Sequence, residues 1–506
     1  MGAWRTAALA VNVSAMGARA ASPEIVARPR SGLEVRISSD GCPAMARIWT
    51  MSASELSIVI PVWGSDHNLR RLIPSLKGDL GASVPTPGIV VAAGPENQEI
   101  EGLAERLGAT FVRASGNGFG TVLGAGLGAA SGAYVVTMDG DFSHRPGFIR
   151  TMWYQRDDAD VLIASRFVRG SYPEMRWARR VLSRVLNLLY RKILALPYRD
   201  LSSGFRLYRR EVLSDIGPPT AAGLDALPEL LVRASSQGWS VAEVPFWYQG
   251  ARPFTRVRML RLGAGYLGTM SRLFALRNSV KAADYDHRAF DSWIPLQRYW
   301  QRRRFRIIQD FVPTNGRVLD IGCGSSRIVQ NLPRGVGMDL AIRKLRWLRA
   351  PGRMLLQADM NHLPFKDGSF DAVVCSEVIE HVPRNQVRLS EQVRVLSPGG
   401  VLILGTPDYG RRLWRALEWT YGKVFPGGYA KEHINRYSNR ELRGQLETLD
   451  LEVLDCRYVA RSEMIFKARR PDPDIVAPLG ESTSGRTRAH GARTLNPSGG
   501  VIGTST

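Results

Sequence analysis

The stretch GNGFGTVLGAGLGAASGAYVVTMDGDFSHRP, residues 116–146, decides how the first half of the chain is built. Its small residues read as a glycine-rich helix, and the apolar segment from Tyr134 to Met138 predicts the strand that this helix feeds. The strand ends in two carboxylates one residue apart, Asp139 and Asp141. Carboxylates side by side at a strand's C-terminal end suit a hard divalent cation, Mg²⁺ or Mn²⁺, which takes oxygen ligands and bridges to phosphates. A nucleotide diphosphate is the expected substrate.

Around this stretch lie LSIVIPVW (residues 56–63), a helical segment near 68–76, GIVVAA ending at Ala93, a strand near Phe111 and DVLIASRF (residues 160–167). Strands alternating with helical patterns predict a parallel sheet covered on both faces, with ligands held beyond the strands' carboxyl ends. The second half repeats the pattern. RVLDIGCG enters a helix, and the strands that follow end at Asp339, at Asp359, near Glu377 and at Asp408. The chain therefore reads as α/β throughout, in two doubly wound domains.

With 506 residues, 44% hydrophobic and 23% charged, the chain exceeds one ordinary domain and has the composition of folded protein. The expected division is a disordered leader over 1–54, a first domain over 55–277, a linker over 278–298, a second domain over 299–470 and a disordered tail over 471–506. Met45 and Met51, just ahead of the first strand, offer a later start. A net charge of +22 calls for anionic partners, whether nucleic acid, phospholipid or phosphorylated substrates. Cys42, Cys323, Cys375 and Cys456 stand far apart without a C-x-x-C pair, which argues against a disulfide framework or a zinc site and favours a reducing cytoplasm. No apolar run reaches the roughly 18–20 residues that span a bilayer, so the membrane, if met, is met from its surface.

Residues 173–197 place Ala178, Val181, Leu182, Val185, Leu186 and Leu189 at helical spacing, flanked by Arg176, Arg179, Arg180, Arg184, Arg191 and Lys192. Such a helix either lies in a membrane interface, cations toward lipid phosphates, or packs on the sheet by its apolar face. A second basic, aromatic-rich stretch runs from Arg252 to Arg277 and tilts the reading toward a membrane surface.

The 116–146 stretch, ASRFVRGS at 164–171 and DLSSGFRLYRREVL at 200–213 occur in an order and spacing that resembles the inverting, GT-A-fold family 2 glycosyltransferases of the dolichyl-phosphate (polyprenyl-phosphate) mannosyltransferase type. The resemblance covers about residues 56–277. It implies that Asp139, Asp141 and Ser143 hold the metal and the diphosphate of a nucleotide sugar, with Asp141 counted among the catalytic residues. It also implies that Arg166, Ser202, Ser203 and Arg206 face the acceptor phosphate or the leaving diphosphate, where a guanidinium binds bidentately. His144 is expected to position rather than to ligate. A phosphate monoester is largely ionised at pH 7, so it attacks the anomeric carbon without a general base. Two departures stand out. Gly64 and Ser65 replace the family's Asn-Glu pair, and Ala92 and Ala93 replace the two aspartates that help bind the nucleoside.

In the second half, the G-x-G turn after the strand is followed 19 residues beyond Asp320 by Asp339, close to the roughly 20 expected of a ribose-binding acid. With LPFKDGSFDAVVCSEVIEHV and LSPGGVLILGTPD, this half resembles the Rossmann-like class I S-adenosylmethionine-dependent methyltransferases of the small-molecule kind, over about residues 302–470. The resemblance implies that Asp320, Gly322 and Gly324 shape the methionine-side pocket, that Asp339 binds the ribose, and that Asp359 and Met360 border the adenine. Methyl transfer from a sulfonium is an in-line displacement in which a base matters only for a hydroxyl acceptor; Glu380, His381 and His433 are the candidates, His433 first.

The leading expectation is a bifunctional enzyme, peripheral at the membrane surface. It would transfer sugar from a nucleotide to a polyprenyl phosphate, and methylate a glycan or small molecule. One alternative keeps the first domain as an inactive binding module that tethers an active methyltransferase, because of Ala92 and Ala93. The other, a nucleic-acid methyltransferase, uses the charge but is disfavoured: Thr406-Pro407-Asp408 lacks the aromatic that stacks a flipped base, and no RNA-binding module accompanies it.

Overall fold

The structure, a computed structural model, describes residues 55–63, 68–82, 84–175, 177–249, 256–424 and 433–473. The expected leader, all but the first three residues of the expected tail, Cys42, Gly64, Ser65, Arg176 and the beginning of the basic stretch at Arg252 lie outside them.

The first domain contains β1 (Leu56–Val62), β2 (Gly88–Ala93), β3 (Thr110–Arg113), β4 (Tyr134–Thr137), β5 (Val161–Ser165), β6 (Tyr172–Glu174), β7 (Arg206–Arg209), β8 (Val241–Pro245) and β9 (Trp247–Gln249). Seven of these strands form one sheet in the order β3-β2-β1-β4-β7-β5-β8, and β6 pairs with β9. The expected all-parallel sheet is corrected to a mixed one, since β7 runs antiparallel to both β4 and β5. The reason is local. The chain arrives at β7 through the loop 200–205, already at the carboxyl end of β4, so it can only run back down, pairing Arg206 with Thr137. That reversal sets the loop 200–205 beside the Asp-Gly-Asp turn.

The helix Phe119–Ala129 covers one sheet face, and its small residues are what permit the approach. A Cβ on Gly126 would come within 2.6 Å of Val59 Cγ1. The helix Trp177–Ile193 behaves differently. Only Asn187 and Tyr190 are buried, while Trp177, Val181, Leu182, Val185, Leu188 and Leu189 are exposed. Of the apolar stripe, Leu186 packs against the core while the rest stands exposed, so the alternative in which the whole apolar face packs on the sheet does not hold. Polar anchors hold it instead: Asn187 Oδ1 accepts the Leu201 N–H at 2.9 Å, and Tyr190 donates its hydroxyl to the Tyr266 carbonyl.

The second domain contains β10 (Val318–Ile321), β11 (Gly335–Asp339), β12 (Met354–Gln357), β13 (Phe370–Ser376), β14 (Leu396–Pro407), β15 (Glu452–Val459) and β16 (Glu463–Arg469), in the order β12-β11-β10-β13-β14-β16-β15. The first five are parallel and β16 is antiparallel to its neighbours. The helix expected after the G-x-G turn is absent; a loop leads to a single 3₁₀ turn, Val329–Asn331. Pro333 follows so soon that no longer helix fits.

The stretch expected as a linker is folded. It carries the helix Tyr285–Phe290 and the first turn of the helix Pro295–Phe311. The domains meet at a polar joint. Arg346 donates to Asp215 at 2.8 Å and to the Gln237 carbonyl at 3.1 Å, with its guanidinium 3.8 Å from the Trp239 ring centroid. Arg349 reaches Asp160 at 3.0 Å, and the Ala283 N–H donates to the Ser236 carbonyl at 2.9 Å. Gly238 (φ +81) passes so close that a Cβ there would lie 2.1 Å from the Arg343 carbonyl oxygen. Among the described residues no helix is long and apolar enough to cross a membrane.

Candidate active sites

In the first domain, Thr137 donates its hydroxyl to the Gly204 carbonyl at 2.7 Å and draws the loop 200–205 onto the Asp-Gly-Asp turn. Gly204 then lies against Asp139, whose Oδ1 would be 3.4 Å from a Cβ there. The turn continues through Phe142, a non-glycine residue with φ 65, and the Ser143 N–H donates to Asp141 Oδ1 at 2.9 Å. Left-handed backbone in a bulky residue is strained and persists only when its surroundings impose it. Here the Asn68 N–H, donating to the Gly140 carbonyl at 2.7 Å, helps to hold the turn. The structure thus brings Asp139, Asp141 and Ser143 together, and the buried Ser143 hydroxyl has no hydrogen-bond partner. Two carboxylates and an unmatched hydroxyl are a donor set that fits a hard cation with a diphosphate.

His144 is buried and stacks on Phe205, with ring centroids 4.8 Å apart. Its Nδ1 accepts the Asp139 N–H at 2.9 Å, so the ring proton sits on Nε2, which is 3.7 Å from Asp139 Oδ2. Burial pushes the Asp139 carboxyl up and the imidazole down. The ring is a neutral strut beneath Asp139.

Arg166 is tied down by a residue to which the sequence reading gave no role. Its Nε and Nη2 grip Asp200 at 2.8 and 2.7 Å, its N–H donates to the same carboxylate at 2.9 Å, and Nη2 also donates to Ser202 Oγ at 2.8 Å. Burial works to raise the Asp200 carboxyl, but the charge and hydrogen bonds of Arg166 outweigh it and hold the group below the ordinary range. Nη1 is the edge of Arg166 not engaged by Asp200 or Ser202.

Arg206 is a correction. It is fully buried, donating to the carbonyls of Leu227 at 2.7 Å and Leu201 at 2.6 Å and to the Tyr208 hydroxyl at 3.1 Å. Sitting inside the sheet on β7, it braces the loop rather than facing an acceptor. Ser203 likewise turns inward, to the Ala164 carbonyl at 2.8 Å. Ala92 and Ala93 are both fully buried, and Ala92 packs with Ala114 and Val122.

The second domain holds a cavity of about 950 Å³ lined by Asp320, Gly322, Gly324, Asp339, Asp359, Met360, His381 and His433. All six cofactor-side expectations therefore line one cavity. Gly322 and Gly324 have φ 64 and 54, and a Cβ on Gly322 would strike Val378 Cγ2 at 2.3 Å. Asp339 is braced by the N–H groups of Gly324 at 2.8 Å and Ala341 at 2.7 Å. Asp320 is 2% exposed and its Oδ2 has no partner. Burial first, then the charge of Asp339, pushes its carboxyl up to about 8. A bare carboxylate oxygen facing a cavity is what an ammonium group would match, so these residues fit S-adenosylmethionine.

Sequence reasoning missed other walls of this cavity. Tyr285 and Asp286 come from the expected linker, and Asp286 Oδ2 accepts the Ser325 N–H at 3.1 Å and pairs with Lys344 Nζ at 2.7 Å. Arg304 lies between Glu463, at 2.6 Å, and Glu377, at 3.2 Å. His433 Nδ1 lies 3.2 Å from Glu418 Oε1 and 2.9 Å from the Tyr409 hydroxyl, which itself donates to Glu418 at 2.6 Å. An acidic residue 15 positions away in the sequence carries no local signal for such a pairing.

Residues 57–217 match the family model described as glycosyl transferase family 2, and residues 319–404 match that of a methyltransferase domain. The chain is similar to the polyprenol monophosphomannose synthase of Mycolicibacterium smegmatis, 31% identical over 205 residues, which cover 38% of this chain and 76% of the relative. It is also similar to the dolichyl-phosphate hexose transferase of Haloferax volcanii, 27% identical over 191 residues, covering 36% and 79%. A solved S-adenosylmethionine-dependent methyltransferase from Thermotoga maritima aligns at 22% identity with a TM-score of 0.31, over 37% of this chain and 98% of that one. The chain belongs to glycosyl transferase family 2, with relatives of the polyprenol monophosphomannose synthase kind, and it carries a methyltransferase domain in the same polypeptide.

Proposed function

We propose that the first domain transfers a hexose from a nucleotide sugar to a polyprenyl phosphate at a membrane surface, and that the second methylates a glycan or a small molecule with S-adenosylmethionine. The observation that carries the first part is the convergence of the Asp-Gly-Asp turn, the unmatched Ser143 hydroxyl and the Arg166 loop at one sheet edge. Asp139, Asp141 and Ser143 hold the cation, Mg²⁺ or Mn²⁺, which when bound neutralises the leaving diphosphate. Arg166, immobilised by Asp200, offers Nη1 to an anionic oxygen, and the ionised acceptor phosphate needs no base. The outward apolar stripe of the helix Trp177–Ile193, with Arg180, Arg184, Arg191 and Lys192 beside it, supports seating on an anionic bilayer where a polyprenyl tail resides.

S-adenosylmethionine, when bound, supplies an electrophilic methyl group. Asp320 takes its ammonium, the glycine turn its methionine backbone, Asp339 its ribose, and Asp359 and Met360 its adenine, which leaves His433 on the acceptor side. A panel of radiolabelled sugar nucleotides with polyprenyl phosphate, with and without Mn²⁺ or Mg²⁺, tests the transferase. Metal-dependent lipid-linked product is expected; no product with any donor sinks it. The buried alanines 92 and 93 favour a second reading, a domain that binds lipid without transferring sugar. That reading holds if vesicle binding persists while every donor stays unreacted.

A further inference from the structure

The methyltransferase cavity is lined by His381 and His433 as well as by the residues assigned to the cofactor. Among the described residues, Glu380, His381 and His433 each offer a ligating atom within 4.8 Å of the other two. The two imidazole centroids are 5.1 Å apart. Glu380 and His381 come from the 3₁₀ turn Ile379–His381 after β13, and His433 from the segment that precedes the helix Asn439–Thr448.

Two further observations point to a cation. Glu380 is fully buried; its Oε2 accepts the Thr406 hydroxyl at 3.1 Å, while Oε1 has no partner. A buried carboxylate oxygen without a donor is costly unless a cation or a proton meets it. The second is the bracing of His433. The Tyr409 hydroxyl donates to Glu418 Oε1, and both of these oxygens lie within hydrogen-bond reach of His433 Nδ1, where they accept when Nδ1 carries the proton. In that tautomer Nε2 is the ligating nitrogen. A carboxylate on the far nitrogen is the arrangement that fixes the tautomer and raises the basicity of a metal-bound histidine.

We propose that Glu380, His381 and His433 bind a divalent first-row transition metal, of the Mn²⁺, Fe²⁺, Co²⁺ or Zn²⁺ class, at this cavity. Two imidazoles and one carboxylate favour such ions over Mg²⁺ or Ca²⁺ and leave coordination positions open. Metal–ligand bonds of about 2.0–2.2 Å place ligand atoms about 3.0–3.5 Å apart, so the three side chains close by roughly an ångström on loading. An acceptor hydroxyl in an open position is acidified by the metal. Its O–H bond breaks with the proton passing to water, and its oxygen forms the O–CH₃ bond as the S–CH₃ bond breaks and its electron pair returns to sulfur, which leaves as a neutral thioether. That use rests on the methyltransferase reading; metal binding itself does not.

The test uses the full chain with both donor-site acids removed, Asp139→Ala and Asp141→Ala, so that the first domain takes up no ion. After stripping with chelator, Zn²⁺ or Co²⁺ is titrated in. One equivalent is expected, with visible Co²⁺ absorption characteristic of nitrogen ligands. His381→Ala and His433→Ala are each expected to weaken binding at least 30-fold, and Glu418→Gln about 10-fold or more. S-adenosylmethionine affinity, measured on the same samples, stays within twofold and certifies the fold. Absence of binding in the parent, or histidine variants that bind as the parent does, overturns the site. Metal binding in a parent that fails to bind S-adenosylmethionine upholds the site and sinks the methyltransferase reading instead.

Discussion

Replacing Asp320 by asparagine should make the protein more stable and its cofactor site worse. The carboxyl is 2% exposed, with one oxygen unmatched, and is pushed from the ordinary 3.8 up to about 8. An ionised carboxylate in the unfolded chain must therefore take up a proton to fold at neutral pH. A tenfold change in an ionisation constant is about 1.4 kcal/mol, and pH 7 lies about three tenfold steps above the ordinary value, so the penalty is about 4 kcal/mol. The sign follows from a raised folded pKa. Below about pH 4 both states are protonated and the penalty vanishes. It grows as pH rises and levels off near pH 8. Asparagine keeps the shape and does not ionise, so the variant should gain little at pH 4 and close to the whole amount at pH 8. For a domain of this size that is roughly 10 °C in melting temperature. The same change removes the partner proposed for the cofactor's ammonium, a charged hydrogen bond worth about 1.5–3 kcal/mol, or about 10- to 150-fold in affinity. Calorimetry in two buffers of different ionisation enthalpy should show wild type releasing nearly one proton on binding at pH 7, and the variant none. A variant no more stable than wild type at pH 8, or one that binds S-adenosylmethionine equally well with the same proton release, would refute the reasoning.

Four other outcomes are expected. Asp141→Ala should abolish metal-dependent sugar transfer while S-adenosylmethionine binding is kept; normal transfer to a polyprenyl phosphate removes Asp141 from the site. Leu182→Glu with Leu189→Glu, at positions 50% and 44% exposed, should cut flotation with anionic vesicles more than tenfold and leave the melting temperature unchanged; equal flotation rejects the docking face. Asp200→Asn strands the buried Arg166 and should cost about 3–5 kcal/mol in urea unfolding. Because the Asp200 carboxyl is held low, that difference is fully present above pH 3.8 and closes as pH falls through the lower folded value, and a gap that persists in acid contradicts the pairing. Gly238→Ala, at φ +81 and against the Arg343 carbonyl, should lower the melting temperature by several degrees and open the joint to trypsin at Lys344; an unchanged digest argues against the contact.

The periodic parts of the chain were legible because strands buried on both faces leave continuous apolar runs, and the parallel strands β1–β5 and β10–β14 followed from them, whereas β7, β8, β15 and β16 did not. The two acids after β4 and the glycine turn after β10 were legible too, since each depends on residues adjacent in sequence. What escaped was tertiary. Arg206 has the same composition cues as Arg166, and only the antiparallel return of β7 decides that one guanidinium lies inside the sheet and the other at its rim. The stripe on the helix Trp177–Ile193 was legible as a stripe, but periodicity does not say which way it faces; Asn187 and Tyr190, the polar residues in between, decide that. Asp286 was hidden because polar residues between two domains read as linker, although this one closes a pocket wall. The helix missing after Gly324 was a length effect, with Pro333 arriving too early.

The joint around Gly238, Trp239 and Arg346 bears on why the two catalytic units share a chain. A supple tether would let one unit sweep over the other and deliver product by collision. This joint is braced from both sides and has a backbone crossing too tight for any side chain, so it is not such a tether. One chain therefore supplies the two units in equal number and keeps them side by side.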